Sequence, residues 1–224
     1  MKLDGVFIIV AIAGLFFNIA LGIQNTVHMN FVSSEVGLAA TDIGLLDGIR
    51  EIPGLLTVLL ALAALLFTES ILATLCLVLL GVGLYVYGQA ASFTPLIIGT
   101  VVSSIGFHLY GPVQNSILLR TAEPNERGRR LGAISAIAAL ATVLSTLLVR
   151  FLAPAIGLRS MLTLAAVLAV VGAAVQFFSR QGGERTDIRR GMVFKWRYKS
   201  YYWLTLLAGS RRQINWTFAK MALV

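Results

Sequence analysis

Residues 71–91 read ILATLCLVLLGVGLYVYGQAA, an apolar run without one charged side chain from end to end. About 20 such residues, rising 1.5 Å each in a helix, match the roughly 30 Å hydrocarbon core of a bilayer. A helix also satisfies its own backbone N–H and C=O groups, which lipid cannot do. This run therefore predicts a membrane-spanning helix. Working outward, residues 6–32, 43–67, 94–119, 131–153 and 160–179 pass the same test, and a further apolar segment begins at 201 and runs to Val224. The first segment is too long for the apolar region of a secretory signal, and polar residues rather than a small-residue cleavage site follow it, so it reads as a retained span.

The whole chain agrees. Its 224 residues are 58% hydrophobic and 12% charged, whereas a soluble domain carries about 25% charged residues. Cys76, the lone cysteine, sits inside residues 71–91, which excludes a disulfide framework and a Cys-x-x-Cys metal site. No cofactor or metal motif is present.

A net charge of +8 raises the question of nucleic acid, but the positive residues are placed by topology. Lys2, Arg120, Arg127, Arg129 and Arg130 fall on one side of the predicted spans, with seven more Lys and Arg between Arg180 and Lys199, and only Arg150 and Arg159 fall on the other. The positive-inside rule then places the N-terminus and the Arg-rich loops in the cytoplasm, making this a multi-pass protein of the cell (inner) membrane with no role for nucleic acid.

The connections Thr68-Glu69-Ser70 and Ser92-Phe93 are so short that successive helices must pack as antiparallel neighbours. Residues 1–179 thus read as one six-helix bundle, 180–199 as a basic cytoplasmic linker with Trp196 and Tyr198 at headgroup level, and 200–224 as the start of a second, truncated bundle. The fold class is an all-α membrane protein.

The second segment carries LLDGIREIPG, where Asp47, Arg50 and Glu51 are spaced to share one helical face. Three charges near mid-membrane cost about 8 to 10 kcal/mol, more than the surrounding apolar residues comfortably offset, so this face must look into protein or water. Pro53 and Gly54 follow directly and predict a kink beside the charges. On the first segment Gly14, Asn18, Gly22 and Asn25 form one stripe, and on the fourth Ser104, His108, Gly111 and Asn115 form another; both are predicted to face the bundle interior. For the asparagines, interhelical hydrogen bonding competes with ligand contact. His108 and Glu51 are the candidates for proton coupling, because an imidazole exchanges a proton near neutral pH. His28 reads as interfacial, and Gly44 with Gly48 as a small-residue packing pair.

The run GFHLYGPVQNSILLRTAEPNERGRRLGAISAI, residues 106–137, resembles the major facilitator superfamily of secondary transporters. Gly106, Gly111, Pro112, Pro124, Arg127, Gly128, Arg129 and Gly132 match the family's Gly-rich fourth helix and the cytoplasmic Pro…Arg-Gly-Arg turn behind it. Gly157-Leu158-Arg159 is similar to its Gly-Trp-Arg turn, with Leu for Trp. The resemblance covers nearly the whole chain and implies the N-terminal half of that fold plus the start of its seventh helix. It implies alternating access around a midplane site, a small solute, a coupling ion such as the proton, and a second six-helix half from the same gene, a homodimer or a separate chain. Asn18, Asn25, Asp47, Arg50, Glu51, His108 and Asn115 are then the candidate solute or ion pathway, and Arg127, Arg129 and Arg130 the candidate conformational loop. Thr68-Glu69-Ser70 stands where the family has Gly-x-x-x-Asp-Arg-x-Gly-Arg-Arg, and the Gly-Pro pattern and membrane Arg of drug antiporters are missing, so drug antiport is not implied.

Two other readings remain. A six-helix channel or a membrane assembly protein fits the hydropathy, although the polar groups form no rings. An enzyme does not fit: Ser103, Ser104 and His108 share one helix without a Gly-x-Ser-Gly motif, and no oxyanion hole accompanies them.

Overall fold

The computed structural model describes residues 4–56, 67–179, 196–200, 203–204 and 207. The chain divides into two units, Met1–Arg185 and Thr186–Val224. In the first, six α-helices follow in order: α1 (Gly5–Asn30), α2 (Ala40–Leu55), α3 (Glu69–Gln89), α4 (Phe93–Thr121), α5 (Arg127–Ile156) and α6 (Leu158–Phe177). In the second, the described residues include the short 3-10 turn Trp196–Tyr198. The rest of the expected linker and of the seventh segment lies outside the described residues, as does 57–66, the continuation expected for α2.

Five of the described helices, α1 with its terminal π turn (Phe31–Glu35) and α3 to α6, are long and apolar enough to cross a membrane. Local chemistry sets their ends. The Asp4 carboxylate caps α1 by accepting from the Phe7 amide at 2.6 Å. Thr68 caps α3 through the Ile71 amide, so Glu69 and Ser70, expected in a connection, form that helix's first turn. α5 begins at Arg127, four residues earlier than its apolar run, which moves Arg127, Arg129 and Arg130 from the expected loop into the first helical turn. α6 follows α5 after Gly157 alone, whose φ of 81° lies where a side chain would be strained.

α3 packs along α4 and α6 while α1 packs along α5 and α6. Lipid supplies no hydrophobic force between helices, so close approach at small residues does the work. Gly83 of α3 meets the backbone of Ser103, and Gly106 of α4 meets the backbone of Cys76 and Leu80; a Cβ at either would collide with main chain. Gly48, of the expected packing pair Gly44 and Gly48, does not play this part. It faces open space, while Gly54 of the same helix packs under the His108 ring.

Arg159 fastens one end of the bundle. Its Nε lies 3.0 Å from Glu35 Oε2, its Nη1 donates to the carbonyls of Gly88 and Ala90 at 3.1 and 3.0 Å, and its guanidinium covers the Phe31 ring at 5.2 Å. One planar group with five donors thereby caps the last turn of α3 and joins it to the end of α1 and the start of α6.

Candidate functional site

The charged face of α2 looks into the bundle, and each of its three charges meets a different polar side chain. Arg50 Nη2 donates to Asn25 Oδ1 of α1 at 3.2 Å. Asp47 Oδ1 lies 3.2 Å from His28 Nε2 of α1, and Glu51 Oε2 lies 3.7 Å from His108 Nε2 of α4. Neither imidazole is aligned for a hydrogen bond to its carboxylate, so both Nε2 atoms are buried with no hydrogen-bond partner among the described residues. Arg50 also lies 5.8 Å from the Phe107 ring centroid, a cation–π distance. With both rings neutral, the two carboxylates and one guanidinium leave a formal charge of −1.

The backbone holds this arrangement. The Ser104 hydroxyl donates to the Arg50 carbonyl, fixing α4 against α2 at the height of the charges. Pro53 is buried and the described helix runs on through it to Leu55. Gly54 leaves room for the His108 ring: a Cβ there would lie 2.6 Å from His108 Cε1. Where a kink was expected beside the charges, what the Pro-Gly pair contributes to the site is room for the His108 ring at Gly54.

The sequence-predicted residues separate into those the structure brings together and those it does not. Asn25, Asp47, Arg50, Glu51 and His108 converge. Asn18 bonds the Gly14 carbonyl of its own helix at 2.7 Å and makes no interhelical hydrogen bond among the described residues. Asn115 is exposed, since its stripe on α4 leaves the packed interior between Ser104, which is buried, and Asn115. His28 is not interfacial: it is 4% exposed, with Nδ1 2.6 Å from the Tyr87 hydroxyl, because α3 supplies a partner that its apolar sequence hides. His28 lies one turn beyond Asn25 on the α1 stripe, and that spacing was the available signal. Gln114, also unanticipated, is buried and donates to the Val10 carbonyl at 3.3 Å, packed into the space that Gly14 leaves.

At the other end of the bundle Arg130 stands apart from Arg127 and Arg129. It is 4% exposed, while those two are exposed. Its Nη2 lies 2.7 Å from Asp4 Oδ2 and 3.3 Å from Glu126 Oε2, its Nη1 donates to Thr121 Oγ1 at 3.4 Å, and its guanidinium covers Phe7 at 5.5 Å. The Asp4 that caps α1 thus also binds α5. A second pair joins α3 to α4 nearby, Arg120 Nε to Glu69 Oε2 at 3.2 Å, with Ser116 donating to Glu69 Oε1.

The Major Facilitator Superfamily model matches residues 6–216. The chain belongs to the major facilitator superfamily. No protein of curated function matches it. Among solved structures it is similar to a peptide transporter, POT, in complex with alafosfalin, with a TM-score of 0.71 and 15% identity over 92% of this chain and 45% of that one. It is also similar to a bacterial homolog of the human lysosomal transporter Spinster, inward-facing and unoccupied, with a TM-score of 0.68 and 17% identity over 88% of this chain and 48% of that one. This superfamily chain therefore spans about half the length of the solved transporters it matches. It is a multi-pass membrane protein of a transporter family.

Proposed function

We propose that the chain supplies one six-helix half of a secondary active transporter that moves a small solute by alternating access. Asn25, Asp47, Arg50, Glu51 and His108 form its solute and ion path, and Asn18 and Asn115 flank that path on the same stripes. The carrying observation is the convergence of Asp47, Arg50 and Glu51 on partners from α1 and α4 while all three remain partly exposed within an apolar bundle. Charges that serve only to orient helices gain most when fully paired and closed off, whereas a half-exposed cluster with unclosed hydrogen bonds suits a path for polar cargo.

His108 and Glu51 are the proton-coupling pair in this reading, and Arg130, with Arg127 and Arg129 around it, latches the end of the bundle through Asp4 and Glu126 during rocking. The distribution of Lys and Arg supports an N-terminus in the cytoplasm of a cell whose inner membrane holds the protein. The second half comes from the same gene, a second copy or a separate chain, and the purified chain alone moves solute weakly or not at all.

Membrane vesicles from cells expressing the gene test this. Solute-evoked proton movement that saturates with solute concentration is the expected result, while a conductance that rises without saturation identifies a channel and overturns the proposal.

A further inference from the structure

Arg120, Arg129, Arg130 and Arg159 each face a carboxylate, at 3.2, 2.6, 2.7 and 3.0 Å. Arg50, on the charged face of α2, forms no ion pair with a carboxylate among the described residues. Its Nη2 donates instead to the neutral amide of Asn25, its backbone carbonyl accepts from Ser104, and its guanidinium lies 5.8 Å from the Phe107 ring centroid. Three neighbours hold the group in place, yet they engage only one of its five N–H donors. Glu51, the next residue, is in a similar condition: its Oε2 lies 3.7 Å from His108 Nε2 without an aligned hydrogen bond. Both side chains are partly exposed.

We propose that the solute of this path is a small zwitterion of the amino-acid class, with its carboxylate on Arg50 and Asn25 and its ammonium on Glu51. A planar guanidinium can take both oxygens of a carboxylate, and the Asn25 amide, whose oxygen already accepts from Arg50, keeps its nitrogen as a further donor beside it. Consecutive helix positions lie about 1.5 Å apart along the axis and about 100° apart around it. Arg50 and Glu51 therefore present opposite charges at nearly one height on neighbouring sides of α2. On an amino acid the carboxylate and the ammonium share one carbon, which suits two opposite charges placed in that way.

Charge decides between solute classes. With both imidazoles neutral the cluster is net negative, two carboxylates against one guanidinium. A carboxylate without an ammonium adds a further negative charge beside Glu51. An ammonium without a carboxylate meets the positive Arg50 and gives it no partner. A neutral solute leaves both side chains without a counter-ion inside an apolar bundle, where an uncompensated charge is costly. A zwitterion pairs with both signs and leaves the net charge of the cluster unchanged. The inference rests on the reading of this cluster as the solute path.

The purified full chain in lipid nanodiscs, which enclose no volume to fill, reads binding apart from transport. The probes are radiolabelled alanine and leucine, each beside its methyl ester, which keeps only the ammonium, and its N-acetyl form, which keeps only the carboxylate. Saturable binding of at least one amino acid is expected, with both of its capped forms at least about tenfold weaker, because each lacks one charged hydrogen bond. Arg50→Gln is expected to remove the preference over the methyl ester and keep that over the N-acetyl form. Glu51→Gln is expected to do the reverse, a split that a loss of folding does not produce. Saturable binding of neither amino acid, or a capped form bound as tightly as its parent by the unaltered chain, overturns the class. Saturable transport of some other solute by vesicles then leaves the transport reading standing, whereas amino-acid binding with this pattern in a chain whose vesicles only conduct overturns transport and leaves the site intact.

Discussion

Arg50 of α2 donates a hydrogen bond to Asn25 of α1 across 3.2 Å, beside the contact of His28 with Asp47 between the same two helices. Asn18, two turns earlier on the same stripe, bonds its own helix at the Gly14 carbonyl, its one hydrogen bond among the described residues. The two asparagines look alike in sequence and differ in what they hold together. Asn25→Ala is expected to destabilise the purified chain by about 1 kcal/mol, within the range for polar contacts between membrane helices. Asn18→Ala is expected to change it by less than about 0.5 kcal/mol. Unfolding in a detergent titration checks both.

Arg159 offers a stronger test of packing. Replacing it by Ala removes contacts to Glu35, Gly88 and Ala90 together and uncovers Phe31. A loss of about 2 kcal/mol is expected, discounted for the partial exposure of the ion pair. Arg159→Lys restores less than half of it, because an ammonium is a point charge and cannot span a carboxylate and two carbonyls as a guanidinium fork does. The same unfolding titration measures this.

Two glycines on α2 should respond in opposite directions to one methyl group. Gly54→Ala pushes on the His108 ring, and a loss of about 1 to 3 kcal/mol is expected from overpacking. Gly48→Ala meets nothing within 4 Å and gains about 0.5 to 1 kcal/mol of helix propensity. Thermal unfolding of the two variants side by side gives the sign of each.

Among the three arginines that open α5, the burial of Arg130 makes it the sensitive one. Arg130→Ala leaves Asp4 and Glu126 without their shared guanidinium and is expected to cost about 1 to 2 kcal/mol, discounted for the exposure of Asp4. Arg127→Ala, at an exposed position, is expected to stay within about 0.5 kcal/mol. Asp4→Asn keeps the helix cap and loses the charge, so it should fall between them.

These contrasts mark how far the sequence is readable. Hydropathy places α1, α3, α4, α5 and α6 within a few residues, because a bilayer imposes length and apolarity on each helix independently of its neighbours. The Asp47, Arg50 and Glu51 face was legible for a similar reason: three charges in an apolar helix must find protein or water, whatever the fold. Their partners were not legible. Tyr87 lies in a helix whose uniformly apolar sequence shows no inward face, so the hydroxyl waiting for His28 gives no signal until α1 and α3 are packed. Arg130 and Arg129 are adjacent in one basic run, and only the packing of α5 decides which of them meets Asp4. Gly48 shows the reverse error, since a small-residue pair predicts contact only if that side of the helix faces another.

The central claim is that the charged face of α2 borders a water-accessible path and does not merely orient helices in a dry interior. Val82 is exposed and Glu51 partly so, but only Glu51 belongs to the charged cluster. Glu51→Cys and Val82→Cys, treated in membranes with a charged, membrane-impermeant thiol reagent, test the claim directly, since the native Cys76 is buried. A thiol must ionise to react and so needs water beside it. The account predicts modification of Glu51→Cys at least about tenfold faster than Val82→Cys, a gap set by thiolate availability. Equal, slow reaction at both positions would contradict it and leave the cluster as a structural ion-pair network.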